Sequence, residues 1–113
     1  MKYNFITYPT FDRELKRLAK KYLSLKQDIL ALIQEIERNP YAGTDLGNNI
    51  YKYRLSIASK GKGKSGGGRI ITMNILLAED EKEIGLLYIY DKSERSNITD
   101  KEIKELMRKN GLI

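Results

Sequence analysis

The stretch IYKYRLSI, residues 50–57, alternates its side chains with a period of two, which is the period of a β-strand. One set of alternate positions is apolar and consists of Tyr51, Tyr53, Leu55 and Ile57. The other set includes two cations, Lys52 and Arg54. This alternation predicts a strand whose apolar face packs on a core. Lys52 and Arg54 then share the opposite, open face of the sheet.

The segments on either side of this strand predict an α+β fold. Two further β-rich stretches, 69–77 and 84–90, are joined by the acidic turn AEDEKE at 78–83. A short β-rich segment at 3–8 precedes two helical patterns, and a third helical pattern follows residue 99. The short turns favour an antiparallel meander, with an N-terminal strand, an α-hairpin covering one face of the twisted sheet, and a C-terminal helix. Residues 1–113 are predicted to form a single domain.

Capping residues mark where the helices begin and end. The predicted caps are Thr10 for the first helix, Ser24 with Gln27 for the second, and Thr99 with Glu102 for the last. Asn39-Pro40 ends the second helix and Asn110-Gly111 ends the last. Five cations lie on the exposed side of the first helix, namely Arg13, Lys16, Arg17, Lys20 and Lys21.

Composition excludes several kinds of protein. The chain has no Cys, so it has no disulfide and no thiolate nucleophile, and it has no His, the commonest metal ligand. No apolar run approaches the roughly 18 residues of a membrane span. The N-terminus becomes charged too early for a secretory signal. We therefore expect a cytoplasmic protein without a membrane segment, a metal or a small-molecule cofactor.

The charge distribution indicates an anionic partner. Lys and Arg number 21 against 15 Asp and Glu, a net charge of +6, and no acidic residue occurs between positions 46 and 78. The stretch KGKGKSGGGR, residues 60–69, lies within this acid-free span. We expect a mobile glycine-rich loop in which Lys60, Lys62 and Lys64 contact phosphates, although a solvated surface loop is the alternative. Its spacing does not match a nucleotide-binding P-loop, which also requires a following helix.

Three motifs together resemble a known family. YKYRL at 51–55, GKGKSGGGRII at 61–71 and LLYIYDKSERSNIT at 86–99 are similar to the HigB-type branch of the RelE/ParE toxin superfamily. The resemblance covers nearly the whole chain. It implies the toxin of a type II toxin–antitoxin module, partnered by an antitoxin protein. RelE and HigB members cut mRNA in the ribosomal A site, whereas ParE members inhibit DNA gyrase. An inactive homologue that only binds its antitoxin is a third possibility.

The resemblance also implies an active site. Lys52, Arg54, Arg69 and Lys92 occupy the positions of the family's cationic cluster, in which the two guanidinium groups would clamp phosphate. Arg69 presents a difficulty, because it shares its side of the strand with the apolar Ile71. We expect it to lie at the strand end or after a bulge.

Proton transfer has no obvious carrier in this chain. The best-known members have a tyrosine or histidine near the C-terminus, and this chain ends RKNGLI. Tyr90, Asp91 and Glu94 are the candidate bases, and the shared parity of Tyr88, Tyr90 and Lys92 favours Tyr90. On the first helix, Arg13, Arg17 and Lys20 are candidate contacts to ribosomal RNA, or they serve only solubility.

Overall fold

The computed structural model describes residues 1–61 and 63–113, so the predicted phosphate contact Lys62 lies outside the described residues. The strands are β1 (Lys2–Thr7), β2 (Thr44–Gly47), β3 (Ile50–Leu55), β4 (Gly68–Ala78) and β5 (Glu81–Asp91). The helices are α1 (Pro9–Lys21), α2 (Leu25–Arg38), the single turn α3 (Gly63–Gly66) and α4 (Asp100–Lys109). None of the described helices is both long and apolar enough to cross a membrane.

The strands form one mixed sheet in the order β1-β5-β4-β3-β2. The predicted antiparallel meander of β3, β4 and β5 is confirmed, and β2 adds a further antiparallel edge. The N-terminal strand β1 pairs in parallel with β5, which makes the sheet mixed. The predicted α+β class, with an α-hairpin and a C-terminal helix, is confirmed.

Helices cover both faces of the sheet, and here the expectation of one covered face is wrong. On one face α1 and α2 bury a core that includes Leu18, Ile29 and Leu55. On the other face α4 contributes Ile103, Leu106 and Met107 to a second core. The reason lies in β4 and β5, whose consecutive apolar residues supply both faces, as Ile70 and Ile71 do for the first and second cores.

Only one of the three predicted helix caps is confirmed. Thr99 and Glu102 form the capping box of α4. Helix α1 begins earlier, with Tyr8 as its N-cap, and the hydroxyl of Thr10 instead donates to the carbonyl oxygen of Leu87 at 2.5 Å. The side chain of Ser24 does not cap α2, since its hydroxyl donates to Asp28 Oδ2 at 2.7 Å. Thr10 thus has a tertiary partner, and the Ser24 oxygen has one as well, since it accepts from the backbone nitrogen of Ser59 at 2.9 Å.

Candidate active site

Three polar side chains form a row across the middle of the sheet. Arg54 of β3 pairs with Arg69 of β4, and Arg69 pairs with Tyr90 of β5. Directly opposed residues of antiparallel strands share one face, with Cβ atoms about 4.5–5.5 Å apart. The sheet register therefore brings these three side chains together on the face that α4 covers only in part.

A cleft of about 360 Å³ surrounds this row. Its lining consists of Thr44, Lys52, Arg54, Arg69, Tyr90, Lys92, Ser96 and Asn97. Lys52 lies in the neighbouring row of the sheet, and Lys92 follows the last residue of β5. Among the described residues that line this cleft, four are cations and none is a carboxylate. The cleft is thus suited to an anion with several oxygen atoms.

Arg69 lies close to the end of its strand, which is the first of the two arrangements expected for it, and it enters the cleft without a bulge before it. It is the second residue of β4, close to the strand end, and the bulge occurs further on, between Ile71 and Thr72. Ile71 belongs to the second core beneath α4, so a cation and an apolar residue occupy the same face at different depths. The parity difficulty arose from assuming that only one face of the sheet has a core.

The guanidinium of Arg69 is fixed by main-chain carbonyl groups. Arg69 is 7% exposed, and its Nη1 donates to the carbonyl oxygens of Lys64 at 3.0 Å and Gly68 at 2.8 Å. Burial lowers the pKa of Arg69, and the nearby charge of Arg54 lowers it further. An arginine nevertheless stays protonated in proteins. Arg69 therefore presents a rigid, incompletely solvated positive charge to the cleft.

Tyr90 is a buried phenol whose hydroxyl makes no hydrogen bond within the described part of the chain. Arg95 lies over its ring, with 5.6 Å between the guanidinium carbon and the ring centroid. Burial raises the pKa of Tyr90, and the charges of Arg69 and Arg95 offset this only in part. At neutral pH the hydroxyl keeps its proton. It is therefore a hydrogen-bond donor to an anion rather than a strong base.

The other two candidate bases are committed to ion pairs. Asp91 points away from the cleft and accepts hydrogen bonds from Lys60, Ser93 and Tyr22. Burial alone would raise the pKa of Asp91, but these hydrogen bonds lower it well below its usual range. Glu94 is held by Arg17 through two contacts of 2.7 and 2.9 Å, which lower the pKa of Glu94. Neither carboxylate lines the cleft, so neither fits the role of a base there.

Close packing, and not only backbone flexibility, explains the glycines of the glycine-rich segment. A Cβ atom on Gly67 would lie 2.0 Å from the carbonyl oxygen of Leu55, so a side chain cannot be accommodated where β3 and β4 meet. A 3₁₀ turn at Ala58–Lys60 leads into the segment, and the short helix α3 lies within it. Among the described residues of this segment, Gly67 and Gly68 are therefore buried against the sheet, whereas Gly61 and residues 63–65 are exposed.

The two lysines of this segment that the structure describes, Lys60 and Lys64, have acidic partners. The Lys60 ammonium lies 2.6 Å from Asp91 Oδ1 and its side chain is only 6% exposed, which contradicts the expectation that it contacts phosphate. Lys64 Nζ lies 2.6 Å from Glu35 Oε1, but its side chain is 51% exposed. Lys64 can therefore still exchange its partner for a phosphate, whereas Lys60 cannot without disrupting the fold.

The basic face of α1 is partly neutralised by the loop that follows β5. Arg17 binds Glu94 in the bidentate contact described above, and Lys21 lies 3.9 Å from Glu94. Arg13 and Lys20 are exposed. Three residues of this helix are predicted RNA contacts. Of these, Arg17 is held by a carboxylate, that of Glu94.

Three neutral residues of the cleft were not identified from the sequence. Asn97 Oδ1 accepts a hydrogen bond from Lys52 Nζ at 3.3 Å, and the carbonyl oxygen of Ser96 accepts one from Lys92 Nζ at 2.7 Å. Thr44 is brought in by β2, a strand that the sequence reading missed. The short SERSNIT stretch after β5 was the available signal, since polar residues after a strand end often face a cleft.

One comparison with known proteins covers most of the chain. The model of a family described as the RelE toxin of the RelE/RelB toxin–antitoxin system matches residues 10–111. That span contains the whole cationic cleft, all of α1 but its first residue, α2 to α4, and strands β2 to β5. The chain therefore belongs to the RelE family of toxins from toxin–antitoxin systems.

Proposed function

We propose that this toxin is a ribosome-dependent mRNA endonuclease of the HigB-type branch, which cleaves translated mRNA in the A site and so inhibits translation. The observation that carries the proposal is the convergence of Lys52, Arg54, Arg69 and Lys92 around Tyr90 in one cleft. A protein that only binds a partner has no need to gather four cations around a buried phenol whose hydroxyl has no hydrogen-bond partner among the described residues. The arrangement suits a phosphate that gains negative charge during a reaction.

We infer that the reaction is an in-line attack within the RNA, assisted by groups of the cleft. The 2′-oxygen attacks the adjacent phosphorus while the bond from phosphorus to the 5′-oxygen breaks, which yields a 2′,3′-cyclic phosphate and a 5′-hydroxyl. The 2′-hydroxyl proton passes to a base, and the departing 5′-oxygen receives a proton from an acid. Extra negative charge on the phosphorane oxygens is stabilised by the cations.

The cleft residues divide this work. Arg54 and Arg69 clamp the non-bridging oxygens, because a guanidinium presents several donors in a fixed plane. Tyr90 donates a hydrogen bond to the phosphate, consistent with a hydroxyl that keeps its proton and has no other described partner. Lys52 and Lys92 add charge and are the remaining groups for proton transfer.

The partners follow from the family and from the charge of the surface. Membership of the RelE family implies a cognate antitoxin protein. We infer that the 70S ribosome and its mRNA in the cytoplasm are the target. Exposed cations outside the cleft, Arg13, Lys20 and Lys64, would contribute affinity for ribosomal RNA without reading its sequence. Lys62 stays in this set as a prediction from the sequence.

Mapping of mRNA 5′ ends after brief induction tests the proposal. Wild-type protein is expected to generate new 5′ ends within translated codons, and Arg54→Ala, which removes one exposed cation of the cleft, is expected to generate far fewer. New ends in untranslated messages would contradict ribosome dependence. Intact messages accompanied by a change in DNA supercoiling would replace this function with ParE-like inhibition of gyrase.

A further inference from the structure

A buried ion pair lies directly behind the cleft. Lys60 Nζ is 2.6 Å from Asp91 Oδ1, and the two side chains are 6% and 0% exposed. Burying both charges costs several kcal/mol per ion before their attraction is counted, so such pairs are weak evidence for stability. The pair is better explained by the geometry that it imposes on its neighbours.

The carboxylate of Asp91 is surrounded by donors. Oδ1 also accepts from the backbone nitrogen of Ser93 at 2.9 Å and from its hydroxyl at 2.6 Å, while Oδ2 accepts from the hydroxyl of Tyr22. The Tyr22 ring lies 5.5 Å from the Lys60 ammonium as well. The charged groups therefore have one arrangement that satisfies them, and the turn after Lys92 is fixed with them.

Main-chain contacts connect this pair to the cations of the cleft. Besides Asp91, Lys60 Nζ donates to the carbonyl oxygen of Gly67 at 3.2 Å, and the same oxygen accepts from the backbone nitrogen of Lys92 at 3.1 Å. The next carbonyl group, that of Gly68, accepts from Arg69 Nη1. The segment that Lys60 holds is thus the segment that holds the Arg69 guanidinium and the start of the Lys92 turn.

We propose that Lys60 and Asp91 are positioning residues that fix Arg69 and Lys92 in the geometry needed to grip the phosphate, although neither lines the cleft. The catalytic consequence rests on the proposed endonuclease activity. The geometric part does not, because it concerns only where two cations lie in the unliganded protein.

Variants of the pair separate positioning from stability. Lys60→Met or Asp91→Asn alone leaves an uncompensated buried charge or donor and is expected to destabilise the protein. The double variant Lys60→Met/Asp91→Asn removes the ion pair together and is expected to recover most of the lost unfolding midpoint. Tyr22→Phe removes one donor to Asp91 and keeps the pair, so it supplies a folded intermediate case.

The catalytic readout is single-turnover cleavage of mRNA on programmed ribosomes, measured over a range of ribosome concentrations. For the double variant we expect the rate at saturation to fall by about a hundredfold, the size of loss that an ångström of misplacement produces. The half-saturating ribosome concentration should stay at the wild-type value. The matched control Glu105→Gln/Arg108→Met removes an exposed ion pair of α4 and should leave both quantities unchanged.

A crystal structure of the double variant, or of Lys60→Gln, which also breaks the ion pair, if the double variant does not fold, gives the geometric readout. We expect the Arg69 guanidinium to leave the carbonyl oxygens of Lys64 and Gly68. If Arg69 and Lys92 keep their wild-type positions, or if the double variant cleaves at the wild-type rate, the positioning role is overturned. Absence of cleavage by the wild-type protein itself would refute the proposed function, while the structure would still decide whether the pair positions Arg69.

Discussion

Arg54 and Arg69 stand directly opposite each other in the antiparallel register of β3 and β4. Like charges in this relation destabilise a sheet by about 0.2–1 kcal/mol. The charge of Arg54 also contributes, after burial, to the lowered pKa of Arg69. A phosphate between the two guanidinium groups would replace repulsion with attraction. The unliganded protein therefore maintains an arrangement that favours anion binding over its own stability.

Arg54→Ala is expected to separate activity from stability. Loss of the exposed guanidinium should slow cleavage by about a hundredfold or more, as removal of one charge-stabilising donor does in other enzymes. Relief of the repulsion should leave the free energy of unfolding unchanged or raise it by up to about 1 kcal/mol. Urea denaturation and single-turnover cleavage measure the two effects, with Arg38→Ala on α2 as the control for losing an exposed arginine. A clear loss of stability would assign Arg54 a structural role.

Substitution of Arg69 should affect both the cleavage rate and the free energy of unfolding. Arg69→Ala leaves the carbonyl oxygens of Lys64 and Gly68 without this donor, which should cost about 1–3 kcal/mol of unfolding free energy. Arg69→Lys keeps a positive charge but not the planar fork of donors, so we expect a folded protein with strongly reduced cleavage. If Arg69→Lys cleaves as well as the wild type, charge alone is sufficient at this position and clamping by two donors is refuted.

The two glycines Gly61 and Gly67 should respond very differently to alanine. Gly61 has a φ of +67° and open space around the missing Cβ, so Gly61→Ala should cost about 1–2 kcal/mol of backbone strain. Gly67→Ala places a Cβ against the Leu55 carbonyl oxygen and should cost more than about 4 kcal/mol, or prevent folding. Thermal or urea unfolding measures both. Equal, small losses would restore the interpretation of this segment as a flexible loop.

Acid should remove the contribution of Glu102. The hydrogen bond from Arg95, together with those from Thr99, lowers the pKa of Glu102 from 4.5 to about 2. A depressed pKa means that this stabilisation is complete above pH 4.5 and is lost as the pH falls towards 2. Glu102→Gln should therefore be less stable than wild type at pH 6, and the difference should shrink at pH 3. Glu79→Gln, in the exposed turn between β4 and β5, is the matched control, and a difference that stays constant with pH would contradict the assignment.

Local patterns predicted only part of the candidate site, since strand alternation placed Lys52 and Arg54 together, whereas Arg69 and Lys92 were implied by the family resemblance. The period of two in residues 50–57 put Lys52 and Arg54 on one face, and the same parity selected Tyr90 over Asp91. Both conclusions follow from backbone geometry alone. These two conclusions do not depend on how the other elements pack.

Contacts between residues that are distant in the sequence could not be predicted from those local patterns. Lys60 and Asp91 are 31 residues apart, and nothing in either local sequence indicates that one is the counter-ion of the other. The second core under α4 was predictable in principle, since the run LLYIY at 86–90 has the continuous apolar character of a strand buried on both faces. Gly85, which precedes this run, obscured the pattern. A glycine is required at position 67 because the backbone of Leu55 lies too close for a side chain. From the sequence, the same glycine indicates only a flexible chain.

The cations on the basic face of α1 should have two different roles, some in affinity for the ribosome and one in holding the structure. Arg13 and Lys20 are exposed, so the double variant Arg13→Ala/Lys20→Ala should weaken ribosome binding and reduce the slope of log affinity against log salt by about 2, roughly one unit for each lost phosphate contact. Arg17→Ala should change the salt slope less, because the guanidinium is already bound by Glu94. It should instead loosen the loop that carries Lys92 and lower the cleavage rate at saturating ribosome.

Equilibrium binding at several salt concentrations distinguishes the two, and Lys101→Ala, an exposed cation of α4, controls for net charge. If Arg17→Ala reduces the salt slope as much as each of the other two substitutions does, Arg17 leaves Glu94 to contact RNA, and the ion pair is not maintained on the ribosome.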